Sequence, residues 1–246
     1  MVVAVFLTVF GERQALAGTA GSTRSAPAPL TPAFGVPEPK RLGERASAQW
    51  APVHQSAKVR VDADAASAAV APLPLATPEQ TTNVVQVLDR RPTTSGVWVR
   101  VRVPGVPKGK EGWVPRKALG SPRSVATELL VDRARHRVTL TRHGRVVFTA
   151  PAAVGASGSP TPSGSFYIRN RLTRYRSAFY GPIAFGTSAR SAVLTDWPAG
   201  GFIGIHGTNR PELIPGNVSH GCVRLRNRDI LRLDAIMPIG TPETIT

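Results

Sequence analysis

Val97-Trp98-Val99-Arg100-Val101-Arg102-Val103 places valine at every odd position and Trp98, Arg100 and Arg102 at the even ones. A period of two is that of a pleated strand, whose successive side chains point to opposite faces, so one β-branched face and one mixed face predict a half-buried strand. The flanking segments follow the same logic. Lys58-Val59-Arg60-Val61 alternates, and Asn83 to Leu88 is a short β-branched run. After the Pro, Gly and Lys of residues 104–112, a further strand starts at Gly112-Trp113-Val114-Pro115. No segment between residues 40 and 120 has a helical period, and several short strands joined by turns predict a small β-barrel.

From Thr127 the alternating runs lengthen. Leu129 to Asp132 and Arg137 to Thr141 are followed by Arg145 to Thr149, with His143-Gly144 as a hairpin turn. Pro151 to Gly155 leads into the rigid loop Gly158-Ser159-Pro160-Thr161-Pro162-Ser163-Gly164, and Ser165-Phe166-Tyr167-Ile168 resumes a strand. Arg169 to Arg176 reads as an arginine-rich loop, and Phe202-Ile203-Gly204-Ile205 as an apolar strand ending at His206. Asp229 to Ile236 has the acidic start and apolar spacing of a short helix, with Asp229 as N-cap, and Thr244 and Ile245 suit a last strand. The expected fold is mostly β: a small N-terminal barrel over residues 40–120, and over 126–246 a sandwich or barrel with a short helix after the cysteine.

With 246 residues, 41% of them apolar, the chain can bury two modest cores. Val2 to Phe10 is apolar and is followed by Ala15-Leu16-Ala17, a small-x-small site, so residues 1–17 read as a signal peptide or membrane anchor and the chain as extracytoplasmic. The apolar run is too short to span a bilayer as a helix. Residues 18–39, rich in Ala, Pro, Ser, Thr and Gly, read as a linker. The formal charge of +16 is spread over both expected domains and attracts polyanions such as a cell wall or a membrane surface. Neither finger nor recognition-helix spacing is present and aromatics are only 6%, which argues against nucleic acid. The oligomeric state is not legible.

The single cysteine stands in Ser219-His220-Gly221-Cys222-Val223-Arg224-Leu225. It cannot close an intramolecular disulfide, and the Cys and His residues do not cluster as zinc ligands. It is therefore either a small buried hydrophobe or a nucleophile. A nucleophilic thiol needs a base in reach and a dipolar environment. His206, rigidly held at a strand end, suits the base, and Gly207 after it permits close backbone approach. Gly221 frees the amides of Gly221 and Cys222 to form an oxyanion hole. His54, His136 and His143 read as surface residues.

Two resemblances attach to these residues. Trp98-Val99-Arg100-Val101 with Gly112-Trp113-Val114-Pro115-Arg116-Lys117-Ala118-Leu119 resembles the end of a bacterial SH3-like (SH3b) domain, which implies wall targeting or substrate positioning. Ile205-His206-Gly207-Thr208 followed by Ser219 to Leu225 resembles the signature of YkuD-type L,D-transpeptidase catalytic domains, as do Thr161-Pro162-Ser163-Gly164-Ser165-Phe166 and Tyr180-Gly181-Pro182. This second resemblance implies Cys222 as nucleophile, His206 as base, a backbone carbonyl as third member, and Gly221, His220, Ser219 and Gly207 as oxyanion and pocket residues. Arg224, where many members carry Asn, and Tyr180 are implied to bind substrate. The implied substrate is a peptidoglycan stem tetrapeptide, processed through a Cys thioester to a 3-3 crosslink without metal or cofactor, and the implied inhibitors are carbapenems. The alternatives are a wall-binding protein with an idle catalytic domain, or an L,D-carboxypeptidase acting on the same stems.

Overall fold

Residues 48–105, 109–173, 177–193 and 201–246 are described by the computed structural model. The signal or anchor segment expected at 1–17 and the linker expected at 18–39 lie outside them.

The alternating runs become two antiparallel-dominated sheets. The first contains β1 (Ala48–Pro52), β2 (Ala57–Arg60), β3 (Ala69–Leu73), β4 (Val84–Thr93), β5 (Gly96–Val103), β6 (Lys110–Pro115) and β7 (Arg123–Val125), in the order β3-β2-β6-β5-β4-β1-β7. The stretch Val97–Val103 fills β5. Val99, Val101 and Val103 are buried with Val53, Val59, Leu73, Val85, Val87 and Val114, which is the core the alternation predicts. Trp98 on the opposite face is also buried, and Val97 is exposed.

The second sheet contains β8 (Thr127–Asp132), β9 (Arg137–Arg142), β10 (Arg145–Pro151), β11 (Ala153–Gly155), β12 (Gly164–Leu172), β13 (Ala184–Arg190), β14 (Phe202–His206), β15 (Gly216–Ser219), β16 (Val223–Arg224) and β17 (Pro242–Ile245). Their order is β10-β9-β8-β17-β12-β13-β14-β16-β11-β15. His143 and Gly144 have φ of 50° and 75°, the left-handed values that a two-residue turn between β9 and β10 needs. Leu129, Val131, Leu140, Phe148, Phe166, Ile168, Ile203, Ile205 and Leu225 form the core, closed by Ile230 and Leu233 of the helix α1 (Asn227–Asp234). The protein is mostly β, as expected.

Two local expectations are corrected. Arg169 does not open a loop: β12 continues through Leu172, and Arg169 is only 2% exposed because Glu79 and the Phe202 ring take up its charge. Residues 174–176 lie outside the described chain. Asp229 is not the N-cap. The helix starts three residues earlier, with Arg226 at the cap, and Asp229 sits in the first turn, where its carboxylate still faces the positive end of the helix.

The two sheets share a small core of Trp50, Val84, Val125 and Tyr167, and the Tyr167 hydroxyl donates to Val84 O at 3.1 Å. Trp50 covers Gly240, whose φ is +84° and where any side chain would overlap the indole. Among the described residues no helix is long and apolar enough to cross a membrane.

Candidate active site

Strands β14 and β16 pair in parallel, with Ile205 opposite Val223 and His206 opposite Arg224. Strand alternation then puts Gly204, His206, Cys222 and Arg224 on one face of the sheet. Gly204 donates its N–H to Cys222 Sγ at 3.4 Å. A Cβ at Gly204 would lie 3.9 Å from both Sγ and His206 Cδ2, so the thiol and the imidazole flank the gap that the missing side chain leaves. Both are enclosed: His206 is 1% exposed and Cys222 7%.

His206 Nδ1 and Gly207 O are 2.5 Å apart. The carbonyl can only accept, so Nδ1 carries the proton and Nε2 is left with its lone pair. Burial pushes the imidazole down to about 4, with the Gly207 carbonyl working against that shift and the Arg224 charge adding to it. Burial pushes the Cys222 thiol up, opposed by the Gly204 amide and the Arg224 cation. Thiol and imidazole are therefore both neutral near pH 7.

The turn before the cysteine is held by two hydroxyls. Ser219 Oγ donates to Cys222 O at 2.5 Å and accepts the Gly221 N–H at 3.1 Å. Thr161 Oγ1 donates to Gly221 O at 2.8 Å and accepts the Gly155 N–H at 2.9 Å. Gly221, with φ of +114°, takes a conformation that other residues rarely adopt. Its amide, expected to face an oxyanion, is directed at Ser219 instead, because the tight turn presents the hydroxyl to it. His220 is exposed.

Arg224 is 6% exposed and places its guanidinium 4.6 Å over the Phe179 ring. Among the described residues its buried Nε has no hydrogen-bond partner and it forms no ion pair. The Tyr180 ring meets His206 edge-on at 4.9 Å, and Phe179 lies 6.2 Å from the same imidazole. Asn227 Oδ1 accepts the Thr208 N–H at 2.9 Å and fills the space where Gly181 and Gly207 lack side chains, bringing the Tyr180 and His206 segments together.

Cys222, His206, Gly207, Ser219, Arg224 and Tyr180 are thus gathered in one place. His54 and His143 are exposed and His136 is half-buried, with its Nε2 3.0 Å from Asn217 Oδ1. Sequence reasoning assigned no role to Phe179 or Asn227 and only a loop motif to Thr161. An aromatic before Tyr180 and an amide at the helix start were the available signals. Among the described residues no group of three or more His, Cys, Asp or Glu is placed to hold a metal ion.

The catalytic-domain profile of the YkuD L,D-transpeptidases matches residues 126–245, the second sheet and its helix. The chain belongs to the YkuD L,D-transpeptidase family. YkuD of Bacillus subtilis (strain 168) is 34% identical over 141 residues, 57% of this chain and 77% of that protein. YkuD of Bacillus licheniformis is 36% identical over 126 residues, 51% of this chain and 69% of that protein. A crystal structure of an Enterococcus faecium L,D-transpeptidase aligns with a TM-score of 0.40 and 20% identity over 49% of this chain and 50% of that one, so this chain spans about half of it.

Proposed function

We propose that this protein is an extracytoplasmic peptidoglycan L,D-transpeptidase with Cys222 as nucleophile and His206 as base. The observation that carries the reading is the common face of β14 and β16, where Sγ and the imidazole flank the position over Gly204 with the Arg224 cation beside them.

Because both groups rest neutral, the thiol proton passes to His206 Nε2 as Sγ attacks the carbonyl that precedes the terminal D-Ala of a tetrapeptide stem. The C–S bond forms and the carbonyl π pair moves to oxygen. The Gly207 carbonyl stabilises the imidazolium through Nδ1–H, and Arg224 stabilises charge as it develops on sulfur and oxygen. With the Gly221 amide turned to Ser219, the Cys222 amide is the backbone donor we assign to the oxyanion. Collapse of the tetrahedral species breaks the C–N bond, and His206 returns its proton to the departing amine of D-Ala. The side-chain amine of a diamino acid on a second stem then attacks the thioester, gives a proton to His206 and displaces the thiolate, which recovers that proton.

Arg224 takes a stem carboxylate, because a buried cation that has no counter-ion among the described residues favours an anionic ligand, and Tyr180 covers the imidazole from the cleft side. The exposed His220 lines the outer rim. The first sheet is assigned as an SH3-like module at the wall, where the basic excess meets anionic polymer.

Intact mass spectrometry after exposure to a carbapenem tests the nucleophile: the wild-type chain should gain one acyl adduct and Cys222→Ser none. A stoichiometric adduct on Cys222→Ser would refute the assignment. Product analysis on a muropeptide separates crosslinking from carboxypeptidase action, in which water replaces the acceptor amine.

A further inference from the structure

The loop between β3 and β4 is stiffened into a tight turn. Thr77 and Thr81 are joined through their hydroxyls at 2.8 Å and by Thr77 N–H to Thr81 O at 2.8 Å, and Gln80 within the turn has a φ of 59°. The turn projects Glu79 onto the second sheet. Glu79 Oε1 accepts from Arg169 Nη2 at 2.6 Å, and Oε2 from Asn170 Nδ2 at 3.1 Å. The Asn170 Nδ2 also donates to Thr81 Oγ1 at 3.0 Å, while its Oδ1 accepts the Gly186 N–H at 3.1 Å. The Arg169 guanidinium lies 3.8 Å over the ring of Phe202, the first residue of the strand that ends at His206.

These contacts close one side of a small depression whose lining includes Glu79, Gly186, Phe202, Gly204 and His206. Its floor is a row of residues with little or no side chain: Ala184 opposite His206, and Gly186 opposite Gly204. Glu79 therefore belongs to the same cleft wall as the imidazole, although the family match begins only at residue 126.

We infer that Glu79 of the first sheet is a positioning residue for the reacting pair: through Arg169 and Phe202 it fixes β14, and it walls the cleft that reaches His206. The first sheet is then a structural part of the reaction site and not a detachable tether. A reacting pair displaced by about 1 Å loses on the order of a hundredfold in rate, and the clamp acts on the strand that carries both His206 and the Gly204 amide.

This inference rests on Cys222 and His206 being the reacting pair. The test is the acylation rate of the full-length chain by imipenem as a function of pH, with thermal unfolding measured in parallel. Glu79→Ala should acylate at least about tenfold more slowly at pH 7. The acid limb of its rate profile should also move up from the wild-type position towards the ordinary imidazole range, because water reaches His206 through the opened wall. Of the groups facing His206, Cys222 just before β16, Arg224 of β16 and Tyr180 of the preceding turn are unaltered, and only Glu79 is replaced; losing its negative charge would by itself move the limb down, so an upward shift reports the opened wall. Loss of stability alone would slow acylation only by reducing the folded fraction and would leave the limb in place. Should Glu79→Ala fail to fold, Glu79→Gln decides: it keeps the wall and an acceptor for Arg169 but loses the charge, so it should acylate more slowly than the wild type, by less than Glu79→Ala, with its acid limb at or below the wild-type position. A folded Glu79 variant with the wild-type rate and limb overturns the inference. A wild-type chain that imipenem does not acylate overturns the functional reading instead.

Discussion

His206 and Arg224 stand directly opposite each other across the parallel β14–β16 pair, so an imidazole and a buried cation are neighbours on one face. A positive charge beside an imidazole resists its protonation, and Arg224 adds to the lowering that burial imposes on His206. The same guanidinium favours an anion at the cleft.

Replacing Arg224 tests both effects. Arg224→Met should slow acylation by a tetrapeptide stem by about ten- to a hundredfold, the value of a lost charge-assisted contact. It should affect much less a stem whose C-terminal carboxylate is amidated. Arg224→Lys should recover little, because a point charge does not reproduce the guanidinium stacked on Phe179. Equal losses on both stems would remove the carboxylate role.

The acid limb of wild-type carbapenem acylation should fall near pH 4, not near 6.5, because the buried His206 titrates at about 4. The rate should stay level through neutrality and climb again only above pH 9, where the thiol, raised by burial, begins to ionise. Stopped-flow acylation between pH 3.5 and 10.5 gives both limbs.

Glu243 is 1% exposed in the core, and burial raises its carboxyl to about 8 from 4.5. The folded state therefore holds a proton that the unfolded chain releases above pH 4.5. The stability linked to this proton is fully present below pH 4.5 and is lost as pH rises towards 8. Glu243→Gln, neutral at every pH, should flatten that decline, and thermal unfolding at pH 4.5 and 8 shows it as a smaller difference in Tm than for the wild type.

Thr161→Ala removes one hydroxyl that serves two buried backbone groups, Gly155 N–H and Gly221 O. About 2–4 kcal/mol of stability should be lost, from two hydrogen bonds and two buried polar groups left unpaired. Thr161→Ser should restore most of it. Urea unfolding reads the stability, and acylation of the folded fraction reads whether the cysteine turn has moved.

The alternation at Val97–Val103, the hairpin at His143-Gly144 and the strand ending at His206 were legible because each depends on neighbours within a few residues. The His206 and Cys222 pair was legible as spacing, and its parallel register was not. Arg169 was misread because a run of arginines normally marks solvent, and its burial is decided by Glu79, 90 residues earlier, and by Phe202, 33 later. The direction of the Gly221 amide was not legible for the same kind of reason. A glycine beside a cysteine shows that the backbone can turn, and the Ser219 hydroxyl decides where the N–H points.

Strand β17 lies between β8 and β12, pairing in parallel with the first and antiparallel with the second. β8 starts the second sheet and β17 ends it, so the middle of that sheet has an empty slot until the last strand of the chain is available. Before then β8 and β12 are two open edges, each able to recruit a foreign strand. During synthesis this half of the molecule must therefore wait for residues 242–245. A truncation before Pro242 should yield a sticky, aggregating species in place of a slightly shortened enzyme.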